Sequence, residues 1–488
     1  MPYGTFGRMT MITTGKIRGL HDDGVTAFKG IPYAKSPFGP LRMAAPVPVE
    51  PWDGTRDATT FGPRPPQPAV LPGMPEWSPA DGLDCLTVNV WTPDPGGSGL
   101  PVMVWIYGGA YLTGAADMPE YDGARLAAEG VVVVSFNHRV GMEGYGHVDG
   151  APPNRGLLDQ LAALRWVQEN AAAFGGDPGN VTVFGESAGA GGIACLMAMP
   201  SAAGLFRRAI AQSVAGLFFS PGLASGITGA IVDRLGGLSP YDSAPERLVA
   251  AATAVMTEPG RDDPARWGPM AYSRIPFAPV VDGEVLPDLP WKALAAGASR
   301  DVELIVGFTR DEYRFFQALG GAPVADLGTV MKTVAPEGAD AAYRAAHPQA
   351  TPEELHTLLM SDWMFRMPSA LLADAHQGRT HAYELTWSPT PMGACHGLDV
   401  PLTFATLDCP LGRMLTGGAP EGEGLSRQFR TAWTGFAATG DPGWPAYDSL
   451  TATTHLFDVE PSDVSDPEAA SRALWGERGI ALLDQGAS

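Results

Sequence analysis

Cysteine is scarce in this chain, with Cys85, Cys195, Cys395 and Cys409 the only four in 488 residues. No two of them form a CxxC pair, so no zinc or dithiol redox site is expected. So few cysteines in so long a chain do not make a disulfide scaffold, and free thiols in a reducing, cytoplasmic setting are expected. Long apolar runs are missing as well. No stretch reaches the roughly 18 apolar residues of a spanning helix. The first fifteen residues lack the apolar core of a signal peptide. Positive charge is short too: Lys and Arg number 32 against 53 Asp and Glu, a net charge of −21. Such a surface repels phosphate backbones and anionic lipids, so neither nucleic acid nor membrane is an expected partner. Repeats and low-complexity tracts are also absent.

What remains is an ordinary globular composition, 45 % hydrophobic and 17 % charged. The length suits either one α/β domain with large insertions or several domains, but no clean linker divides it. Residues 37–79 are rich in proline, which cannot donate to a β-ladder, so this stretch reads as ordered coil over the surface. Met9 and Met11 are alternative starts, so the first ten residues read as a tail without an assigned role.

The middle of the chain alternates two periodicities. Val102 to Tyr107 (VMVWIY) and Val131 to Phe136 (VVVVSF) are short apolar runs rich in β-formers. They read as strands buried on both faces of a parallel sheet. Leu157, Leu161, Leu164 and Val167 mark one face of a helix that closes at Gly175-Gly176. Val181 to Phe184 is the next strand, and the apolar helix Ile193 to Met199 follows it. Ala209 to Gln212, Glu303 to Phe308 and His381 to Thr386 read as further strands. Such alternation predicts a mostly parallel sheet flanked by helices.

Chemistry concentrates at the ends of these strands. Gly185-Glu186-Ser187-Ala188-Gly189 is a GxSxG pattern, weak alone in a chain with 61 glycines. Here it has the required context of strand, sharp turn and helix, which holds a serine hydroxyl above the sheet. A plain glycine-rich turn would fit the same five residues. Gly108-Gly109-Ala110-Tyr111 ends an earlier strand, and its small residues let backbone N–H groups approach a substrate oxygen. An ordinary turn would also look like this. A nucleophilic serine needs a base, and the base needs an orienting acid. His396 sits among small residues after a late strand, and Glu312 follows the strand Glu303 to Phe308. A packed histidine and a helix-start acid are the plain alternatives. All four elements nevertheless follow the C-terminal end of a strand, the edge where open α/β sheets bind ligands.

At this point the residues resemble a known family. Phe28 to Ala34 (FKGIPYA), Asp84 to Trp91 (DCLTVNVW), Asn154 to Gln160 (NRGLLDQ) and the run Phe174 to Gly189 are similar to the type-B carboxylesterase and cholinesterase family. So are Phe206 to Ile210 with Gln212-Ser213, and Gly440-Asp441-Pro442 with Trp444-Pro445. The chain looks most like the bacterial branch of para-nitrobenzyl esterases and phenmedipham hydrolases. The resemblance implies an α/β-hydrolase fold in a single domain, 1–488, and a monomer without metal or cofactor. It implies Ser187 as nucleophile, Glu312 as acid and His396 as base. It implies Gly109, Ala110 and Ala188 as oxyanion-hole donors, and Glu186 with Ser213 as a buried polar pair. Cys85 matches half of a disulfide in secreted relatives, but Phe61 to Pro65 offers no partner cysteine. Ala110 stands where many relatives have glycine, and Tyr107 where many have histidine.

The implied reaction is hydrolysis of a small-molecule carboxylic ester, short-chain or aromatic, through an acyl-enzyme; a carbamate or amide hydrolase with the same triad is the alternative. Leu217, Phe218, Phe219, Phe315 and Phe316 follow catalytic strands and are expected pocket residues, although core packing would account for each. Insertions at 217–300 and 313–378 are expected to be helical and to shape that pocket.

Overall fold

The computed structural model describes residues 6–70, 77–257, 260–320, 326–476 and 479–484. Its centre is one twisted sheet of thirteen strands. They are β1 (Phe6–Ile12), β2 (Gly15–Asp22), β3 (Val25–Pro32), β4 (Thr55–Asp57), β5 (Thr87–Thr92), β6 (Leu100–Ile106), β7 (Val132–Phe136), β8 (Gly176–Glu186), β9 (Arg208–Gln212), β10 (Glu303–Thr309), β11 (Thr380–Leu385), β12 (Thr453–Phe457) and β13 (Ser462–Ser465). The order across the sheet is β1-β2-β3-β5-β7-β6-β8-β9-β10-β11-β12-β13, with β4 beside β2. The block from β7 to β12 is parallel, and both margins are antiparallel except for the short β4, which runs parallel to β2.

The parallel block is double-faced because its side chains alternate. Val102, Val104 and Ile106 of β6 enter one apolar core, while Met103 and Trp105 enter the other. Val132 and Val134 of β7 are divided from Val133 in the same way. This is the period of two that a pleated strand imposes, satisfied here by apolar residues at nearly every position, buried Ser135 of β7 being hydrogen-bonded to Asn89. Helix Arg155–Asn170 lays Leu157, Leu161, Leu164 and Val167 into the first core. A buried pair, Arg139 Nη2 to Asp159 Oδ1 at 2.8 Å, ties the chain after β7 to that helix.

Two expectations are corrected. Residues 6–12 are no tail: they form β1, paired with β2 in a register that sets Met9 against Arg18. The described part of the proline-rich stretch is mostly irregular, but it does not simply run over the surface. Pro65, Pro66 and Gln67 are buried, and Gln67 is hydrogen-bonded to Gly114 of the loop after β6.

The chain visits β6, crosses to β7 on one side, and returns to β8 on the other. The strand order therefore reverses at β6 and β8, and ligands bind at the carboxyl ends of such a switch. Helices Pro221–Arg234, Pro245–Thr257 and Pro290–Ala295 lie in the stretch between β9 and β10. Leu327–Val334, Ala339–Ala346, Pro352–Ser361 and Met367–Ala375 lie in the stretch between β10 and β11.

Candidate active site

Ser187 stands at the turn between β8 and helix Ala188–Ala198, with φ 59° and ψ −123°. A β-carbon makes a positive φ costly, so the surroundings must impose it. The Ser187 N–H donates to Gln212 O of β9 at 2.9 Å, and its carbonyl accepts from Gly191 N at 2.9 Å. The flanking glycines are there for space. A Cβ on Gly185 would lie 2.5 Å from Ile106 O, and one on Gly189 would lie 2.0 Å from the same atom. Helix and β6 therefore touch through bare backbone.

The chain leaves β6 in an unusual conformation. Gly109, Ala110 and Tyr111 have φ of 120°, 57° and 56° in succession. Leu112 N and Thr113 N both donate to Gly109 O at 3.0 Å, which closes the loop on itself. Among the described residues, the N–H groups of Gly109 and Ala110 have no acceptor. Ala188 opens its helix, so its N–H also lacks an intrahelical partner. Gly108 brings this loop onto the serine: a Cβ there would lie 2.9 Å from Glu186 O and 3.0 Å from Ser187 Cβ.

His396 and Glu312 meet from loops after β11 and β10. The imidazole Nδ1 lies 2.5 Å from Glu312 Oε2. Glu312 is fully buried, and its Oε1 accepts from Thr309 N at 3.0 Å. On the other side of the ring, Nε2 lies 3.0 Å from Glu186 Oε1. No hydrogen bond joins His396 to the Ser187 hydroxyl among the described residues.

One imidazole thus sits among buried carboxylates. Burial lifts the Glu186 carboxyl from 4.5 to about 8, against the opposing charge of His396. Asp399, three residues beyond the histidine, is raised by burial and by the Glu312 charge, although Gln212 Nε2 and Tyr383 OH each donate to it at 2.9 Å. Burial alone would lower His396, but Glu186 and Glu312 outweigh it and lift the ring from 6.5 to about 9. The Glu186 and His396 shifts depend on each other, because a protonated Glu186 no longer holds a proton on the ring.

Aromatic rings close over the imidazole. The Phe365 centroid is 4.1 Å from that of His396, and Phe316 and Phe315 are at 5.2 and 6.3 Å. Phe316 stacks on Phe365 at 5.7 Å. Phe365 lies in a single π-helical turn, Asp362–Arg366, a local distortion frequent at functional sites. Asp362 anchors that turn by accepting from Tyr343 OH at 2.5 Å and Ser471 Oγ at 2.6 Å.

The structure therefore brings Ser187, Glu186, Gly109, Ala110, Ala188, Glu312, His396, Phe315 and Phe316 to one place. Leu217, Phe218 and Phe219, the other expected pocket residues, belong to the same apolar cluster as Phe365. They are buried in the core, where Phe218 meets Trp291 edge to face and Phe219 N donates to Pro279 O at 2.9 Å. Ser213 has φ 55° and a buried hydroxyl, and Glu186 is buried as well, but among the described residues no direct hydrogen bond joins the two. Sequence reading missed Phe365, Asp399 and Gln67. Asp399 had a faint signal, an acid one helical turn from the histidine. Among the described residues, no group of three or more His, Cys, Asp or Glu is arranged to hold a metal ion.

An exposed-backbone loop, a strained serine and a carboxylate–imidazole pair at the switch point of a parallel sheet define a serine hydrolase of the α/β-hydrolase fold. The sequence model of the carboxylesterase family matches residues 8–456. The chain is 39 % identical to the para-nitrobenzyl esterase of Bacillus subtilis (strain 168), over 95 % of this chain and 97 % of that one. It is 34 % identical to the phenmedipham hydrolase of Pseudarthrobacter oxydans, over 89 % of this chain and 92 % of that one. Among solved structures, a PNB esterase superposes with a TM-score of 0.84 at 35 % identity, covering 96 % of this chain and 99 % of the other. A carboxylesterase of Geobacillus stearothermophilus gives the same TM-score, 0.84, identity, 35 %, and coverage. The chain belongs to the carboxylesterase family, and it is a serine carboxylic-ester hydrolase.

Proposed function

We propose that this enzyme cleaves small short-chain or aromatic esters with Ser187 as nucleophile, His396 as base and Glu312 as the orienting acid. The observation that carries the assignment is the 2.5 Å bond between His396 and buried Glu312, beside the strained Ser187 turn. As Ser187 attacks the ester carbonyl, neutral His396 accepts the hydroxyl proton at Nε2. The N–H groups of Gly109, Ala110 and Ala188 hold the tetrahedral oxyanion. His396 returns the proton to the departing alcohol, leaving an acyl group on Ser187. Water then attacks, His396 takes its proton, and the carboxylic acid leaves as the serine is restored. In this structure Nε2 faces Glu186, so the imidazole turns from that carboxyl to the serine as substrate binds.

The two helical insertions, 217–300 and 313–378, shape the pocket in this reading, and Phe316 and Phe365 supply its apolar wall beside the leaving group. The buried free thiols Cys85, Cys195 and Cys395 fit a reducing compartment such as the cytoplasm.

The test is hydrolysis of p-nitrophenyl acetate at pH 8 with EDTA present. Ser187→Ala is expected to lose at least about a thousandfold. Equal activity in both proteins would reject the assignment. The similarity to a phenmedipham hydrolase favours a second reading, turnover of aryl carbamates by the same triad. Steady-state turnover of an aryl carbamate near that of the matching ester would establish it, and a stable carbamoyl-serine would exclude it.

A further inference from the structure

We propose that Gln67 is a positioning residue for the oxyanion hole, acting through Thr113 and Gly114. The inference rests on Gly109 and Ala110 being the oxyanion donors. Gln67 comes from the proline-rich strap and is 4 % exposed. Its Oε1 accepts from Gly114 N at 2.8 Å and from Thr113 Oγ1 at 2.5 Å. Its Nε2 donates to Gly114 O at 3.0 Å and to Pro65 O at 3.1 Å. All the hydrogen-bonding capacity of a primary amide is used. The amide orientation is unambiguous, because a backbone N–H only donates and the two carbonyls only accept.

The gripped residues touch the loop that carries the donors. A Cβ on Gly109 would lie 2.2 Å from Thr113 O, and one on Gly114 would lie 2.5 Å from Gly108 O. Segments 108–109 and 113–114 are therefore stacked backbone on backbone, and Gln67 fixes the outer member. The neighbouring strap residues fix it further along. Arg64 Nε pairs with Asp117 Oδ1 at 2.8 Å. Asn137 donates to Pro63 O at 3.0 Å and accepts from Ala116 N at 2.8 Å. Pro65 and Pro66 have their φ set by the ring, so the strap starts from few conformations.

The chemistry demands an amide at this position and does not demand mere bulk. Alanine would leave the Gly114 N–H and C=O buried without partners, and glutamate would set carboxylate oxygens against two carbonyls. Three consecutive positive φ values at Gly109, Ala110 and Tyr111 are a conformation the loop does not hold unaided. A donor displaced by about 1 Å costs on the order of a hundredfold in rate, so a grip on this loop acts on the chemical step.

The experiment compares the wild type with Gln67→Ala and Thr113→Val. Active serines are counted after complete reaction with a fluorophosphonate, and kinetic constants are expressed per titrated site. Affinity for an aryl trifluoromethyl ketone, whose adduct carries the oxyanion, is measured beside them. Gln67→Ala is expected to lower kcat about 10- to 100-fold per site with little change in KM, and to weaken the ketone in proportion. Thr113→Val, which removes one of the four bonds, is expected to show the same pattern at about three- to tenfold. A merely structural role would reduce the number of active sites and leave both constants alone. Constants within twofold of wild type for titrated Gln67→Ala sites, or for Thr113→Val where Gln67→Ala yields none, would overturn the proposal. A wild type that fails to bind the ketone would instead remove the oxyanion reading on which it stands.

Discussion

The two halves of the candidate active site, one around the proposed nucleophile and one around the proposed base, are built from different materials. The nucleophile half, residues 107–114 with 185–191, is mostly backbone: free N–H groups, positive φ at Gly109, Ala110, Tyr111 and Ser187, and glycines where a Cβ would collide. The base half is side chains brought from far apart: Glu312 after β10, Phe365 from a π-turn, and His396 with Asp399 after β11. A backbone half is fixed by local steric necessity. A side-chain half is fixed by burial and charge, so pH and packing act on it.

The largest effect is expected in the base half. Glu312→Gln keeps the shape and removes the charge that supports the imidazolium. A loss of about 10⁴-fold in kcat is expected at pH 8, against an unchanged fold by circular dichroism. A loss under tenfold would mean that another carboxylate, Glu186 or Asp399, orients the ring. Next in size is the backbone half. Gly109→Ala places a Cβ 2.2 Å from Thr113 O at φ 120°, where alanine is strained. Displacing one donor is expected to cost about 10²–10³-fold in kcat, with KM nearly constant. A mutant within tenfold of wild type would show that this loop yields more easily than its contacts indicate.

A smaller effect separates the halves by their response to pH. As the proposed base, His396 would act only when neutral, and burial, which lowers it, is outweighed by Glu186 and Glu312, which lift it from 6.5 to about 9. Activity is therefore expected to fall as pH drops through the raised value of the ring. Glu186→Gln removes the charge facing Nε2, so the acid limb of kcat/KM is expected to move to lower pH. The ratio of mutant to wild-type kcat/KM then rises as pH falls. A midpoint that stays or moves upward would mean that Glu186 is already neutral in the working enzyme. Gly109→Ala is expected to leave the midpoint where it is.

The same division explains what could be read from the sequence. Backbone geometry writes itself into sequence as glycine: Gly108-Gly109 and Gly185/Gly189 stand where bare backbones meet, and both were found from spacing. The parallel strands were equally legible, because burial on two faces leaves almost nothing but apolar residues in β6 and β7. The strands of the margin β1 to β5 were not distinguished from coil: β2 alternates only in part, β4 is three exposed residues, and β5, buried throughout, mixes Thr and Asn with its apolar residues. Glu312 and His396 were named from their places after strands together with the family resemblance. Ring contacts were half legible. Phe315 and Phe316 are close in sequence to Glu312, whereas the partner of greatest proximity, Phe365, depends on a turn of π-helix that no periodicity announces. Leu217 to Phe219 were named only because they follow a strand that leads to the site, a signal that core packing produces as readily, and all three are buried.

Phe365 is also where the smallest effect is expected. Its ring stacks on Phe316 and lies against His396, so it restricts the imidazole as the ring turns between Glu186 and Ser187. Phe365→Leu keeps an apolar side chain and removes the aromatic face. Aromatic pairs contribute about 0.5–1.5 kcal/mol beyond their buried area, a factor of about 2 to 13. A fall of that size in kcat is expected for an acetate ester, where the substrate has no ring of its own to compensate. For a benzyl ester, whose leaving group brings a ring to the same wall, the loss is expected to move into KM. Equal losses in kcat for both esters would assign Phe365 to holding the base alone. A loss confined to KM for both would assign it to the pocket and release it from the base half.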